Sequence, residues 1–318
     1  MEQGNKHIYP RIGTVLTVLS FLLVSCTERS LEMRPEPVPI RLYTGIRTRA
    51  AVDAFNDTPV CIACGTSAGS YTECWEGTAT DGEIALTPVR YYPQDGGRLY
   101  LRSFYPPAPL GEDGTLTYTL TGEEDLMVTS EQNGSLDEPF ATDDSKMLIH
   151  RHLLTKLGFR LKLEVANPGQ YSIRTLHLNG LTQQVKLSLL TEELECGDVT
   201  ASVTVYDAFL DDSGGIPFEN GVAELPGYVL VQPGAEFTIY LRLAVDEEPG
   251  NDLVYEDLPI IFEGGLGEGG IAYTVSVNIP ATSSPDPKEV KATATVSSWE
   301  DGSSGSGELV PDKNKNQE

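Results

Sequence analysis

The residues of this chain able to do chemistry are few: five cysteines, four histidines and one Gly-x-Ser-x-Gly stretch. Cys26 is the first of them. It follows Leu23-Val24-Ser25, the order of a lipobox, in which a small residue admits the signal peptidase and the thiol accepts lipid. Lys6 and Arg11 supply positive charge ahead of it, and Val15 to Val24 form an apolar core too short to span a bilayer. Residues 1–25 therefore read as a cleaved lipoprotein signal peptide. The mature chain is predicted to begin at Cys26 carrying several acyl chains, which together anchor where one chain would not.

Four more cysteines follow: Cys61, Cys64, Cys74 and Cys196. An exported chain can form disulfides, and four cysteines allow three pairings between which a sequence does not choose. Cys61-x2-Cys64 has the spacing of half a zinc site or of a redox pair. Zinc asks for a second pair at matching spacing, and the redox motif asks for a helix that starts after the first cysteine. Val60-Cys61-Ile62-Ala63-Cys64-Gly65 reads instead as a strand running into a turn. Structural disulfides or buried thiols are the expectation, and no metal.

Gly65-Thr66-Ser67-Ala68-Gly69 matches the nucleophile elbow of hydrolases. An elbow exposes its serine only between a strand and a helix, and Ser70-Tyr71-Thr72-Glu73-Cys74-Trp75 is not helical. A Gly-Ser loop is expected there, and no enzyme activity or cofactor. His150-x-His152 would present two imidazoles on one strand face to a metal, but no third ligand is in view, and core or edge histidines are the expectation. Asp211-Asp212 and Asp246-Glu247-Glu248 are acidic loops without the ligand spacing of a calcium loop. Tyr91-Tyr92-Pro93 and Phe104-Tyr105-Pro106 hold aromatics suited either to stacking on sugars or to packing at strand ends.

Charge narrows the partners. The full chain carries a formal −25, with 22 basic and 47 acidic residues. Signal removal takes Lys6, Arg11 and Glu2, leaving 20 basic against 46 acidic, a net −26. A chain so acidic repels phosphate, which excludes nucleic acid as a partner. It is equally unsuited to docking on anionic lipid through protein charge.

The elements that must hold these residues have a period of two. Phe237, Ile239, Leu241, Leu243 and Val245 alternate with polar residues, as do Tyr273, Val275, Val277 and Ile279, and Phe159, Leu161, Leu163 and Val165. Leu99 with Leu101, and Leu116 with Tyr118 and Leu120, add more. Alternation of this kind marks half-buried antiparallel strands, here separated by Gly and Pro clusters. One stretch, Ser145–Leu157, suits a helix face through Met147, His150, Leu153, Leu154 and Leu157, or a strand. The strand is preferred, continuing through a bulge into Phe159–Val165. An all-β chain of two antiparallel β-sandwich domains follows, residues 38–150 and 151–300, meeting between Asp144 and Asn167. Residues 26–37 read as a tether and 301–318 as a polar flexible tail.

The order of the motifs along the chain resembles a known family. After the lipobox cysteine come Thr48-Arg49-Ala50, Cys74-Trp75-Glu76-Gly77, Tyr92-Pro93 and Leu101-Arg102-Ser103-Phe104-Tyr105-Pro106. His152-Leu153-Leu154-Thr155-Lys156-Leu157, Ala272-Tyr273-Thr274-Val275 and Val296-Ser297-Ser298-Trp299 complete the series. It is similar to the fimbrillin-like proteins, the pilins of type V fimbriae, over nearly the whole mature chain.

That resemblance implies two tandem transthyretin-like sandwiches and a lipoprotein exposed on the outer membrane as part of a fimbrium. It also implies assembly by strand addition. A protease cuts after an arginine near the start of the first domain, here Arg49 or Arg47, the first strand leaves, and a strand of a neighbouring subunit takes its place. Pro39–Ile46 would be the strand removed. After Trp299 only Leu309 and Val310 are apolar, too few to fill a groove, so a tip, anchor or accessory subunit is expected rather than a stalk subunit. The partners implied are other fimbrial subunits, the outer membrane through Cys26, and a host or bacterial surface receptor. The competing expectation is a surface glycan-binding lipoprotein outside any fibre.

Overall fold

A computed structural model describes residues 36–47, 52–53, 55–143, 145–210, 214–245, 252–262, 267–280 and 290–297. Cys26, Arg49, both acidic loops, the tether up to residue 35 and the tail after residue 297 lie outside these. The chain divides into Met1–Pro37 and a compact unit that starts at Val38. Among the described residues the regular structure is strand throughout, apart from one 3-10 turn at Pro168–Gln170.

The first ten strands are β1 (Leu42–Arg47), β2 (Val52–Asp53), β3 (Thr58–Gly65), β4 (Glu73–Thr80), β5 (Glu83–Thr87), β6 (Leu99–Tyr105), β7 (Thr115–Thr119), β8 (Met127–Thr129), β9 (Gln132–Gly134) and β10 (Leu148–His152). Then come β11 (Thr155–Leu163), β12 (Tyr171–Thr182), β13 (Gln184–Ser188), β14 (Leu194–Cys196), β15 (Thr200–Asp207), β16 (Ile216–Pro217), β17 (Val222–Glu224), β18 (Val229–Val231), β19 (Thr238–Val245), β20 (Leu253–Phe262), β21 (Ala272–Ile279) and β22 (Lys291–Ser297). The all-β class read from the sequence is what the chain adopts, and the alternating positions point inward as their period requires. Ile239, Leu241, Leu243, Val275, Val277 and Leu161 are all fully buried.

Three sheets form. In the first, pairing runs β10-β8-β6-β3-β4-β5-β1, and β1 pairs again with β10, so the path closes into a ring of seven strands. Every member of the ring contributes to one core, from Leu42 through Ile62, Trp75, Ile84, Leu101 and Met127 to Leu148. The second sheet runs β15-β12-β19-β20-β22-β21-β11-β17. Its layers are joined by β20, which is antiparallel to β19 up to Pro259 and parallel to β22 from Ile260. A second core lies between those layers, with Ile173, Leu241, Tyr255 and Val275 in it.

The third sheet, β14-β13-β7, takes strands from both parts of the chain. Its Leu116, Tyr118, Val185 and Leu187 cluster with Cys61, Ala63, Phe104 and Val128. This explains why β3 is apolar without alternation. Val60, Ile62 and Cys64 face the core of the ring while Cys61 and Ala63 face the third sheet, so both faces are covered. Glu192, in the turn between β13 and β14, fixes that hairpin through Arg102 on β6 and Arg151 on β10, each at 2.9 Å.

Two expectations change. The strand foreseen from Met147 into Val165 is broken: β10 belongs to the first sheet and β11 to the second. Leu153 and Leu154 between them are both buried in the third cluster, which no single alternating strand allows. Nor is every ladder antiparallel. β1 with β10, β11 with β21 and β20 with β22 run parallel. Parallel neighbours are joined by long crossovers, and alternation within a strand does not reveal them.

Candidate functional site

β1 is the short first strand of the ring and the one that closes it. Leu42 and Tyr43 pair antiparallel with Ile84 and Glu83 of β5, while Thr44 to Arg47 pair parallel with Leu148 to Arg151 of β10. The chain ahead of it is tied down as well: Ile40 N–H donates to the Arg90 carbonyl at 2.8 Å and Tyr92 N–H to the Val38 carbonyl at 3.1 Å. Inward-facing Ile40 and Leu42 are 6% and 2% exposed. Burying each contributes about 1.5–3 kcal/mol. Removing this segment would open the ring between β5 and β10 and leave Phe55, Ile84, Tyr92 and Leu148 without their neighbours.

The third inward position is polar. Thr44 is buried, and its hydroxyl donates to the Leu148 carbonyl at 2.8 Å and lies 3.0 Å from His150 Nδ1. The other ring nitrogen of His150, Nε2, is 3.0 Å from Ser103 Oγ on β6. Since the single proton of the Thr44 hydroxyl goes to Leu148, Nδ1 must donate to Thr44, which leaves Nε2 as the acceptor nitrogen facing Ser103 Oγ, a hydroxyl that also reaches the Cys61 carbonyl at 3.3 Å. Backbone hydrogen bonds to Gly45 and Leu148 oppose part of the effect of burial on the ring. Phe55 meets the imidazole edge-on at 4.9 Å. Full burial holds His150 neutral, its pKa pushed down to about 3. Sequence reading placed His150 and His152 on one strand face, and they are; each ring has its own partner, His152 Nδ1 lying 2.9 Å from the Asp125 carboxylate.

The other predicted residues scatter. Arg47 ends β1, exposed but paired with Val52 on one side and Arg151 on the other. Gly65–Gly69 is the β3–β4 hairpin turn, not a strand-to-helix elbow; a Cβ on Gly65 would lie 1.7 Å from the Ser70 carbonyl oxygen. Glu131 braces this turn, accepting from Gly69 N–H at 2.8 Å and from the Tyr71 hydroxyl at 2.7 Å. Of the aromatics offered for sugars, Tyr91 is exposed, whereas Tyr92 and Phe104 are buried.

All four described cysteines are free thiols in this structure. Cys61 and Cys74 share one face of the β3–β4 pair, Cys61 opposite Glu76 and Cys74 opposite Ala63. A hydrogen bond between them lowers the Cys61 pKa and raises that of Cys74. Cys64 points into the ring core, where burial pushes its thiol up to about 12 and keeps it unreactive. Cys196 is exposed on β14. Treatment with oxidised glutathione is therefore expected to join Cys61 to Cys74 and leave Cys64 reduced. Non-reducing peptide mapping checks this, and a Cys61–Cys64 link would contradict it.

A second feature lies on the outer face of the second sheet. His177, Asn179, Asp207, Phe209, Tyr240 and Arg242 line a shallow hollow of about 390 Å³. Phe209 is 63% exposed beneath the Arg242 guanidinium, at 5.4 Å, and the His177 and Tyr240 rings are 5.9 Å apart. No sequence signal grouped these residues, because they come from β12, β19, the end of β15 and the turn after it, which meet only in the sheet.

Neither a protein-family model nor a curated protein matches the sequence. Solved structures do match the fold. A candidate cell adhesion protein from Bacteroides uniformis superposes with a TM-score of 0.53 at 14% identity, covering 82% of this chain and 99% of that one. A fimbrial protein from Bacteroides vulgatus gives a TM-score of 0.53 at 10% identity, again with 82% and 99% coverage. At these identities the likeness establishes a shared fold over most of the chain.

Proposed function

We propose that this chain is a structural or adhesive subunit of a surface fimbrium, lipidated at Cys26 and assembled by strand addition after its first strand is removed. The observation that carries the reading is the place of β1. It is the first strand of the compact unit, it closes the ring, and it ends at a basic residue. Once it is lost, an apolar groove and two unpaired strand edges, on β5 and β10, call for a replacement strand. The fold shared with a fimbrial protein supports the same reading. Arg47 is paired on both sides, which makes it a poor protease substrate and favours Arg49 as the cut. β22, the last described strand, is built into its own sheet between β20 and β21 with Ala292 and Ala294 buried. A subunit that accepts a strand but gives none fits a tip, anchor or accessory position.

Mass spectrometry of the cell-surface form tests this. A chain beginning near Ala50 is expected, preceded in the cell by an acylated precursor that the Cys26→Ala variant fails to make. Mixed with itself, the trimmed protein should stay monomeric; mixed with a stalk subunit it should give one-to-one pairs. A surface form that is always acylated and uncut contradicts strand replacement. Long homopolymers contradict the terminal position. The second reading, a glycan-binding surface lipoprotein, is favoured by the hollow around Phe209 and Tyr240, where one exposed and one half-buried ring stand beside carboxylate, amide and guanidinium groups. In that reading β1 stays in place, so the same mass measurement separates the two.

A further inference from the structure

The seat of β1 is not uniformly apolar, and its one polar contact is selective. Along β1 and the residues ahead of it the inward side chains are Ile40, Leu42, Thr44 and Ile46. Three are hydrocarbon. The Thr44 hydroxyl alone bridges the Leu148 carbonyl, at 2.8 Å, and His150 Nδ1, at 3.0 Å. His150 is fully buried, and Ser103 occupies its other nitrogen.

We propose that the groove beneath β1 selects its strand through His150, accepting a segment of the pattern apolar-x-apolar-x-Ser/Thr-x-apolar and rejecting one with hydrocarbon at the hydroxyl position. This rests on the reading that β1 is exchanged for a strand of another subunit. The backbone of any incoming strand restores the carbonyl that Gly45 turns toward the ring. Only a side-chain hydroxyl restores the bridge, since it must donate to Leu148 and accept from Nδ1 at once. A methyl group there leaves a buried N–H without its bridging oxygen and a buried carbonyl short of a donor. Sites built to bond a hydroxyl discriminate strongly against ligands lacking it, because the site's own polar groups are stranded. Valine, the isostere of threonine, fits the space and fails the chemistry. The residues after Trp299, with Leu309 and Val310 their only aliphatics beyond alanine size, contain no such pattern.

The test has two parts. In the intact protein, Thr44→Val and Thr44→Ser are compared by urea unfolding in the wild-type and His150→Leu backgrounds. Thr44→Val should raise the unfolding constant at least tenfold with His150 present and not in its absence, while Thr44→Ser stays close to wild type. In the trypsin-trimmed protein, peptides spanning residues 39–46 are offered with Thr, Ser or Val at position 44. Thr and Ser peptides should bind at least tenfold tighter than Val, and the preference should vanish or invert in His150→Leu. Equal binding of all three peptides overturns the hydroxyl rule and leaves strand exchange standing. A trimmed protein that takes none of them overturns strand exchange as the source of selectivity, and with it the rule as a partner code. A Thr44→Val change without effect in the intact wild-type chain overturns the role of His150 outright.

Discussion

Replacing Leu42 with aspartate is expected to unseat β1 and open the first sheet. Leu42 is 2% exposed and sits in the core to which all seven strands of the ring contribute. A carboxylate there has no cation to meet, and an unpaired buried charge belongs to the small class of changes that remove more than about 4 kcal/mol. Trimming the same side chain to alanine is expected to remove about 2–5 kcal/mol through lost contacts and a cavity. Arg41, next in the chain but exposed, provides the control, and Arg41→Asp should change stability by less than about 0.5 kcal/mol. Urea midpoints measure the difference, and limited trypsinolysis locates it. In the Leu42 variant cleavage at Arg47 should accelerate, because an unpaired strand enters a protease site and a paired one does not. Equal stability and equal cleavage of the two aspartate variants would mean that β1 does not hold the ring closed.

Acid is expected to weaken the same ring through His150. Its folded pKa is pushed down to about 3 by burial, against 6.5 in the unfolded chain. Between those values the unfolded chain holds the extra proton, so stability rises with pH across the window and is lost as pH falls from 6.5 toward 3. The slope is about 1.4 kcal/mol per pH unit where the difference is complete. His177, lowered by burial, acts in the same direction. Glu124 and Glu138 join only below their own ordinary range, since their folded values are depressed too. The unfolding free energy from urea titration should therefore fall by on the order of 1 kcal/mol from pH 7.5 to 5.5 in a His177→Gln background and stay nearly level when His150→Gln is added. The double variant will be less stable at pH 7.5, having lost the bridge to Thr44, but its pH slope is the readout. Matching slopes would remove His150 as the cause.

Both expectations concern contacts between residues far apart in the sequence, and there the reading of the chain alone stopped. Alternation is a local property. It marked the strands around Ile239, Val275 and Leu161 because inside and outside differ from one residue to the next, whatever the partner strand. It could not show that β1 runs parallel to a strand that begins 104 residues after Thr44. Nor could it show that β10 ends where β11 begins in another sheet, since Leu153 and Leu154 are apolar in either arrangement.

Residue types alone supplied the lipobox pattern before Cys26, the acidity that argues against nucleic acid, and the period-two chemistry of an all-β chain. Arg47 and Arg49 came up as cut sites only through the family resemblance, which implies a cut after an arginine near the first strand. The tertiary structure decided the rest. It closed the ring with β1, covered β3 on both faces, and gave the buried His150 its partners Thr44 and Ser103. It also drew His177, Phe209, Tyr240 and Arg242 onto one face. Long-range pairing is fixed by the sum of buried area and satisfied backbone groups across the whole sheet, a quantity that no single stretch of sequence contains.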